Sequence, residues 1–376
     1  MRLKKLKLVV LCVGAFFMCC SAALAGGVIK IGVAGAHSGD LASYGIPSIH
    51  AVKLVADQYN KHGGLLGKKI VILTGDDQCK PELATNVATK MVSDGVVAVI
   101  GHICSGATKA ALPIYKDAKI PCISPSATNP PLTQSGEYPN FFRTIASDDA
   151  QAKLDVDFIL NKLKAKKIAI IHDKGDYGKG FATYAKHFIE TKGKGKAKVV
   201  LFEGITPGGV DYSAVVQKVK RARPDVVIFG GYYPEASKIV MTMRRKRLKI
   251  PFVSDDGVKD ITFIRVAGRY AEGVYASGPK DISHNPLHIK AVEEHRKVYG
   301  TDPGAFFDNA YAAALALFNA IQKAGSTDYS AVTKALRTYY VETPLGKIKF
   351  DYKGDAEGVG FSIYQVRGGK FVEVKY

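Results

Sequence analysis

Two segments of the chain place small hydroxyl residues between an apolar stretch and a sequence with helical periodicity. The first is residues 101–105 (GHICS) and the second is residues 123–130 (ISPSATNP). In both, Ser or Thr would lie where a strand ends and a helix begins. Backbone N–H groups at a helix start have no partner within the helix, and the helix dipole adds positive potential there. The two segments therefore predict a binding site for a carboxylate.

Three further short segments follow apolar, β-rich stretches in the same way. Residues 76–79 (DDQC) bring a cysteine to the end of a neighbouring strand, residues 230–235 (GGYYPE) carry paired tyrosines, and residues 255–258 (DDGV) carry paired acids. In open α/β sheets, ligands bind at the carboxyl ends of the strands, near the point where the strand order reverses. We therefore expect all of these segments to line one cleft.

Strand and helix signals alternate along the chain in two series. The predicted strands are residues 29–34, 70–74, 98–100, 120–124, 141–144, 167–171, 198–202, 225–229, 251–253, 273–276, 360–366 and 370–375. The predicted helices include residues 48–61, 83–93, 108–116, 150–163, 212–222, 286–299, 304–324 and 329–339. Such alternation is typical of parallel sheets with helices on both faces. Because roughly 350 residues exceed what one hydrophobic core usually holds, we expect two doubly wound lobes.

In order and spacing, these segments resemble those of the periplasmic leucine/isoleucine/valine-binding proteins of bacterial ABC transporters. The resemblance implies an α/β fold of the type I periplasmic binding proteins, with two Rossmann-like lobes joined by a three-strand hinge. It assigns residues 28–147 and 279–357 to lobe 1, and residues 148–278 and 358–376 to lobe 2; periodicity alone does not give these crossovers. It implies the solute-binding component of an ABC importer that closes on an amino acid, branched-chain or otherwise aliphatic.

Carried onto this chain, the family pattern assigns the two charged ends of an amino acid to different groups. Ser105 and Thr128 would donate hydroxyl hydrogen bonds to the carboxylate, together with backbone N–H groups at the two helix starts. The carbonyl of Ser126 and the Thr128 hydroxyl would accept from the ammonium, and Asp256 would supply its counter-charge from the opposite lobe. The best-known members carry glutamate there, so the shorter aspartate requires a bridging water or a ligand that lies nearer.

The resemblance also implies aromatic side chains beside the ligand. Tyr44 and Tyr232 match flanking positions, Tyr177 and Tyr233 are weaker candidates with packing as the alternative, and Tyr275 is a candidate for the side-chain pocket. Tyrosine combines an apolar face with a polar tip, which suits a cleft that is wet when open and dry when closed. The complete expected ligand-binding set is Tyr44, Ser105, Ser126, Ala127, Thr128, Tyr177, Tyr232 and Asp256.

Each assignment has an alternative. Ser105 could only cap its own helix, residues 128–130 could only form a turn, and residues 255–257 could be a plain surface turn. The same scaffold could bind an amide, urea or an aromatic acid, and such ligands would not need an acid at Asp256. The protein could also sense a ligand for a membrane receptor instead of delivering it.

Residues 1–25 have the pattern of a secretory signal peptide. Four cations precede an apolar run that is short for a membrane span, and residues 23–25 (ALA) form a cleavage site. An uncleaved anchor is one alternative. Cys19 and Cys20 raise a lipoprotein as another, but the bulky residues 16–18 disfavour lipid attachment. We expect a cleaved protein in the periplasm, acting as a monomer with the permease subunits of the transporter.

Removal of the signal peptide leaves three cysteines, Cys79, Cys104 and Cys122. The family resemblance implies a disulfide between Cys79 and Cys104, which the oxidising compartment permits. A loop of that length should stabilise the fold by roughly 3–4 kcal/mol in the chain-entropy model. Cys122 lies within an apolar strand, and we expect a buried free thiol.

The net charge of +19 falls to about +15 without the signal peptide. A basic protein can bind nucleic acid or an anionic surface, or can simply carry solvated lysines. Here the lysines are spread over helix faces and turns, and the densest cluster, residues 244–249, comes where a helix should end and its dipole favours cations. Without interleaved aromatics, a recognition helix or zinc-ligand spacing, nucleic-acid binding is not expected.

Catalytic motifs are weak throughout the sequence. His102 and Cys104 could form a dyad, but a disulfide at Cys104 would abolish it. His172 ends a strand without a Gly-x-Ser-x-Gly motif to serve it, and residues 175–180 have neither Walker nor Rossmann spacing. Two histidines flank Asn285-Pro286 in what we expect to be a loop, not a metal-binding helix. We therefore expect no enzyme, no metal and no organic cofactor.

Overall fold

The structure is a computed structural model and describes residues 27–376. The signal peptide predicted for residues 1–25 lies outside the described residues. Among the helices of the described part, none combines the length and apolar character needed to cross a membrane.

Fourteen strands and twelve α-helices make up the described part of the chain. The strands are β1 (Val28–Gly35), β2 (Lys69–Asp76), β3 (Ala98–Ile100), β4 (Cys122–Ser124), β5 (Phe141–Arg143), β6 (Lys167–His172), β7 (Lys198–Gly204), β8 (Val226–Gly230), β9 (Phe252–Ser254), β10 (Tyr275–Pro279), β11 (Val341–Thr343), β12 (Gly346–Ile348), β13 (Phe361–Arg367) and β14 (Lys370–Glu373). The helices are α1 (Ala42–Lys61), α2 (Pro81–Ser93), α3 (Ser105–Asp117), α4 (Pro131–Gln134), α5 (Asp148–Asn161), α6 (Asp176–Lys192), α7 (Ser213–Ala222), α8 (Tyr233–Arg245), α9 (Ile261–Ala267), α10 (Pro286–Tyr299), α11 (Phe307–Ala324) and α12 (Tyr329–Thr338).

Lobe 1 is built on a five-stranded parallel sheet in the order β2-β1-β3-β4-β5. The strands are short apolar runs, and β3, β4 and β5 are buried along their whole length because helices cover both faces. Helices α10 to α12 return to this lobe, where the alanine-rich α11 packs against α1. Small side chains allow that close approach.

Lobe 2 is built on a seven-stranded sheet in the order β14-β13-β10-β9-β8-β6-β7. The strands β7, β6, β8, β9 and β10 are parallel, and the C-terminal hairpin of β13 and β14 adds two antiparallel strands at the β10 edge. The strand order of both sheets reverses next to the cleft, so the strand ends of both lobes meet there. The predicted fold class is confirmed.

The chain passes between the two sheets three times. It leaves the first sheet after β5, returns after β10, and enters the second sheet again at β13. The buried hydroxyl of Thr144 donates to the carbonyl of Asn309 at 2.8 Å, and the Asn309 amide donates back to the Thr144 carbonyl at 2.7 Å. This reciprocal pair ties the first crossover to α11. The lobe boundaries expected at residues 147, 278 and 357 stay a prediction.

Some element boundaries differ from the sequence prediction. Helix α1 begins at Ala42 instead of residue 48 and contains Pro47, because burial of Tyr44 holds its first turn in place. Residues near Asn285 do not form a loop throughout: Asn285 caps α10 by accepting from the Leu287 N–H at 2.8 Å. His288 therefore lies in the first turn of α10, and its ring bonds Asp308 at 2.8 Å.

Candidate functional site

A small cavity lies between the two lobes, at the carboxyl ends of their strands. Its walls combine aromatic side chains with a few polar groups. The lining residues are Tyr44, Ile103, Ser105, Ser126, Tyr177, Tyr232, Asp256, Gly257 and Phe306. Six of the eight residues predicted for the ligand site are therefore brought together around one cavity, and the other two, Ala127 and Thr128, lie in the loop directly behind Ser126.

Ser105 is the first residue of α3, and Cys104 occupies the N-cap position. No side chain caps this helix, and the Ser105 hydroxyl accepts instead from the backbone N–H of Asn129 at 3.3 Å. The alternative in which Ser105 merely caps its own helix does not match this geometry. The free N–H groups of the first turn of α3 remain available at the cavity wall.

The loop at residues 124–128 is held by side-chain hydrogen bonds. The hydroxyl of Ser124 accepts from the Ala127 N–H at 2.9 Å, and the Ser126 hydroxyl donates to the carbonyl of Ile103 at 2.8 Å. These bonds fix the second hydroxyl-rich segment against the first. The Thr128 hydroxyl is fully buried, and no group between residues 27 and 376 bonds it.

Arg143 is a buried residue of the site that sequence reasoning missed. Its guanidinium donates to the carbonyls of Ala127, Thr128 and Asn129 at 3.3, 2.8 and 3.0 Å, and its Nε bonds Asp355. Three carbonyls of the loop are thereby already engaged, and the loop that carries Ser126 is fixed at the cavity wall. An arginine directly after two phenylalanines in a predicted strand was the available signal.

Asp256 is 2% exposed and begins a single 3-10 turn directly after β9. The Tyr177 hydroxyl donates to its carboxylate at 2.6 Å and accepts from the Gly257 N–H at 2.8 Å. Gly257 is required by this packing, because a Cβ there would lie 2.6 Å from the Gly231 carbonyl oxygen. Residues 255–257 are buried, so the plain surface turn considered from the sequence is wrong.

Burial raises the pKa of Asp256 to about 6, although the hydrogen bond from Tyr177 lowers it. Desolvation disfavours the charged carboxylate, so Asp256 gains from a cationic partner. A ligand ammonium beside Asp256 would favour its ionised form. The site therefore has one wall suited to a cation and another suited to an anion.

A second group of buried acids lies behind Asp256 on one face of α5. Asp148, Gln151 and Asp155 recur at helical spacing, and burial raises the pKa of both aspartates well above the usual range. The Gln151 amide donates to Ser277 at 2.8 Å, and Ser277 donates to Asp155 at 3.0 Å. Both carboxylate oxygens of Asp148 are buried without a partner in the described chain. Sequence reasoning took this stretch only as an ordinary helix.

Four aromatic rings pack together at the cavity. The ring of Tyr44 lies 6.0 Å from Tyr232, 5.6 Å from Tyr233 and 5.7 Å from Phe306. Phe306 was missed from the sequence; it has a left-handed backbone with φ of 60° immediately before α11. Tyr233 packs behind the wall and donates to the Asp40 carbonyl. Tyr275 packs on Phe158, outside the cavity lining.

The predicted disulfide between Cys79 and Cys104 is confirmed, with 5.4 Å between the two Cα atoms. It joins the loop after β2 to the start of α3. Cys122 is a buried free thiol whose Sγ donates to the Gly101 carbonyl at 2.9 Å, and burial raises its pKa. With Cys104 in the disulfide, the hypothetical dyad with His102 does not form.

His102 has a different role. Its fully buried ring bonds Asp77 at 2.5 Å and the Tyr115 hydroxyl at 3.0 Å. Asp77 also accepts from the Cys79 N–H at 2.7 Å. The network therefore positions the disulfide loop and the residues that lead into α3.

The two lobes are in contact across the cleft. The Tyr44 hydroxyl of lobe 1 donates to the Gly257 carbonyl of lobe 2, and the Asn129 amide donates to the Asp176 carbonyl. Lys109 of α3 forms an ion pair of 2.9 Å with the Asp176 carboxylate of α6. The structure thus has the closed arrangement. Within residues 27–376, no cluster of three or more His, Cys, Asp or Glu side chains is arranged to hold a metal.

Comparison with known proteins gives the family. The model of the periplasmic binding proteins matches residues 28–370. The leucine-, isoleucine-, valine-, threonine- and alanine-binding protein of Pseudomonas aeruginosa is 38% identical over 346 residues, which cover 92% of this chain and 91% of that protein. The chain belongs to the periplasmic leucine/isoleucine/valine-binding protein family. The resemblance predicted from the sequence is confirmed, and the family implies a location in the periplasm.

Solved structures of this family superimpose over nearly the whole chain. A leucine-binding protein from Thermotoga maritima has a TM-score of 0.85 at 24% identity and covers 92% of this chain and 98% of its own. A branched-chain amino acid transporter substrate-binding protein from Streptococcus pneumoniae, in complex with isoleucine, has a TM-score of 0.81 at 28% identity. The match covers 92% of this chain and 100% of that chain. The protein is a solute-binding protein, and its relatives are binding proteins rather than enzymes.

Proposed function

We propose that this protein binds a free amino acid with an aliphatic, most simply branched, side chain and delivers it to an ABC importer. The observation that carries the proposal is the closed cavity itself, in which a buried carboxylate faces a helix start and an aromatic wall. A zwitterion needs a partner for each of its charges when it is removed from water. The family relatives named for amino acids support this ligand class.

The carboxylate of the ligand would lie at the start of α3. Ser105 would donate its hydroxyl proton there, and the unbonded N–H groups of the first turn would add to it. The Thr128 hydroxyl is the second donor, because it is buried without a partner in the described chain and gains a bond when ligand enters. A buried polar group left without a hydrogen bond costs about 1–3 kcal/mol, and a ligand that supplies the bond can recover this free energy.

The ammonium of the ligand would lie between Asp256 and the carbonyl of Ser126. Tyr177 already bonds one oxygen of the Asp256 carboxylate, which fixes the side chain and leaves the other oxygen for the ligand. Aspartate is one methylene shorter than the glutamate of the best-known family members. The ligand therefore lies nearer to lobe 2 here, or a water bridges the gap.

The side chain of the ligand would face Tyr44, Ile103, Tyr232 and Phe306. These four residues present apolar surface, and a charged ligand side chain would have no partner among them. Small apolar pockets distinguish ligands that differ by a methylene only weakly, by about 1–3 kcal/mol. We therefore expect several aliphatic amino acids to bind, with affinities that differ modestly from one to the next.

Binding would follow hinge closure about the three crossovers, with the lobe boundaries near residues 147, 278 and 357. Ligand shifts the balance toward the closed form by the contacts that only the closed form makes, such as Tyr44 to Gly257 and Asn129 to Asp176. The closed surface would be the one that the permease subunits recognise. Export through a cleaved signal peptide at residues 1–25 and action as a monomer belong to the same proposal.

The experiment is a calorimetric screen of the purified protein, freed of bound ligand by partial unfolding and refolding. The twenty amino acids, simple amides, urea and benzoate are titrated in turn. We expect leucine, isoleucine or valine to bind, and their amides and decarboxylated amines to bind at least a hundredfold more weakly. Binding of amides, urea or benzoate in place of amino acids would overturn the proposal.

A sensing role is separated from delivery by a transport assay. Uptake of labelled amino acid into cells that lack the gene should fall, and the protein supplied on a plasmid should restore it. Unchanged uptake together with tight binding would indicate a sensor.

A further inference from the structure

One face of lobe 2 carries exposed cations that the binding function does not use. The basic face, as we call it, is formed by the end of α8, the following loop, the end of α9 and the turn that follows it. Its members are Arg245, Lys246, Arg247, Lys249, Arg265, Arg269 and Tyr270. None of its cations belongs to an ion pair within the part of the chain that the structure describes.

Nearby groups do not neutralise this face. The pKa of Asp211 is lowered first by hydrogen bonds from Ser213 and only after these by the charge of Lys246. Arg244, the neighbour of Arg245 in α8, is different, because it donates to the carbonyls after the helix and holds that turn together. The uncompensated charge therefore belongs to the exposed side chains and not to the capping residue.

The basic face lies far from the ligand cavity. Helix α8 starts directly after Tyr232, which lines the cavity, and ends at Arg245. Thirteen residues of α-helix span about 20 Å, so the face is at the opposite end of lobe 2. Its residues all belong to one lobe, and hinge closure does not alter their arrangement.

Aromatic and apolar side chains accompany the cations. The guanidinium groups of Arg245 and Arg269 lie 5.8 and 5.1 Å from the centre of the Tyr270 ring. Val266 of the adjacent α9, next to Arg265 in the chain, is exposed by 49%. Cations close to a tyrosine ring and an exposed aliphatic group are typical of segments that lie at the interface of an anionic bilayer.

We propose that the basic face binds the anionic phospholipid headgroups of a bilayer and holds the protein at the membrane surface. Charge complementarity favours this partner, because each Lys or Arg near such a surface strengthens binding about fivefold. A partner protein that distinguishes the liganded from the empty form would need surfaces from both lobes. A face within one lobe, far from the cleft, suits a partner that is indifferent to ligand.

The test is co-sedimentation of the purified protein with vesicles at low and high NaCl. One set of vesicles contains phosphatidylglycerol mixed with phosphatidylcholine, and the other contains phosphatidylcholine alone. The variant R245Q/K246Q/R269Q removes three charges from the basic face. The control variant K61Q/K68Q/K69Q removes three exposed, unpaired lysines of lobe 1, so both variants have the same net charge. Amino-acid affinity, measured in parallel, verifies that both are folded.

We expect wild-type protein to bind the phosphatidylglycerol vesicles at low salt, to be released by about 0.5 M NaCl as the charges are screened, and to bind equally with and without amino acid. The basic-face variant should bind about a hundredfold more weakly and the control variant less than fivefold more weakly. Equal weakening of both variants, binding to phosphatidylcholine alone, or no sedimentation at low salt would overturn the proposal. Sedimentation with the vesicles only in the presence of amino acid would also overturn it, because the basic face should bind lipid equally in the open and closed forms.

Discussion

At the residue scale, the chemistry of the site depends on groups that are buried but incompletely bonded. Asp256 has one carboxylate oxygen bonded by Tyr177, and the Thr128 hydroxyl has no partner among the described residues. Folding usually satisfies buried polar atoms, because an unsatisfied one costs free energy. Exceptions at the cavity wall or directly behind it are therefore candidates for groups that a ligand completes. The incomplete bonding of Asp256 and Thr128 leads to three predictions about these two residues.

The first concerns the charge of Asp256. The substitution Asp256→Asn keeps the shape of the side chain but leaves a ligand ammonium without a counter-charge, which costs about 3–5 kcal/mol for a buried pair. Calorimetry should show amino-acid affinity reduced by a hundredfold or more. Asp260→Asn is the matched control, because Asp260 caps α9 and asparagine caps equally well. Similar titration curves for wild type and Asp256→Asn would contradict the assignment.

The second prediction separates stability from affinity at Thr128. Thr128→Val removes a hydroxyl that no group between residues 27 and 376 bonds, so the free energy of unfolding without ligand should stay the same or rise slightly. Ligand affinity should fall roughly tenfold, because a donor to the ligand is lost. In Thr108→Val, by contrast, the lost hydroxyl donates to the Cys104 carbonyl at 2.9 Å, and stability should fall. Thermal unfolding with and without ligand measures both effects.

The third prediction is a pH dependence with opposite signs for affinity and stability. The pKa of Asp256 rises from 3.8 to about 6 on folding. Its contribution to the stability of the ligand-free protein is therefore fully present below pH 3.8 and is lost as the pH rises through 6. Ligand ammonium needs the ionised carboxylate, so affinity should weaken about tenfold per pH unit below 6. Calorimetry between pH 4.5 and 8 tests this, and in Asp256→Asn the slope should disappear.

At the element scale, helix starts from opposite lobes meet across the cleft. Lys109 on α3 and Asp176 at the start of α6 form the ion pair that joins the lobes, and the Asn129 amide bonds the same residue. Both side chains of the pair are largely exposed, so its contribution is small and sensitive to salt. Its position gives it a role that other surface pairs lack, because it can form only when the lobes are closed.

Lys109→Ala should therefore weaken ligand binding by about two- to fivefold at low salt, with the difference vanishing near 0.5 M NaCl. Lys192→Ala breaks a comparable pair with Asp157 that lies within lobe 2, and it should leave affinity unchanged. Titrations of both variants at two salt concentrations distinguish the effects. An equal response of the two variants would show that the pair does not act through closure.

At the scale of the whole molecule, the two lobes are held by a narrow set of contacts around a small cavity. The crossovers are three single chain segments, while each lobe has its own sheet and helices. Such an arrangement favours movement of the lobes as rigid bodies about the crossovers.

Small-angle X-ray scattering should accordingly show a smaller radius of gyration for the protein with saturating amino acid than without it. The scattering mass should match one chain in both states. Asp256→Asn, measured at the same ligand concentration, should keep the larger radius. Identical curves for wild type with and without ligand would argue against hinge closure.

What the sequence determined by itself was the local chemistry. Apolar runs followed by hydroxyl, tyrosine or acid residues predicted which strand ends carry polar groups, and their order was enough to recognise the family resemblance. That resemblance in turn implied the disulfide between Cys79 and Cys104. These features can be predicted without the tertiary structure because they depend on short-range periodicity and on family resemblance. Helix starts were less certain, as α1 shows, since tertiary burial of Tyr44 outweighed the local signal of Pro47.

Only the tertiary structure decided which distant residues meet at the cavity. Phe306 comes from the loop between α10 and α11 and reaches the wall beside Tyr44, more than two hundred positions earlier in the chain. Arg143 holds the loop carbonyls, and the face of α5 that carries Asp148 turns toward Asp256. The arginine after two phenylalanines was the one local sign of the first role, and α5 gave no sign of the second. Their roles arise from contacts between lobes and across crossovers, and periodicity within a single segment does not encode such contacts.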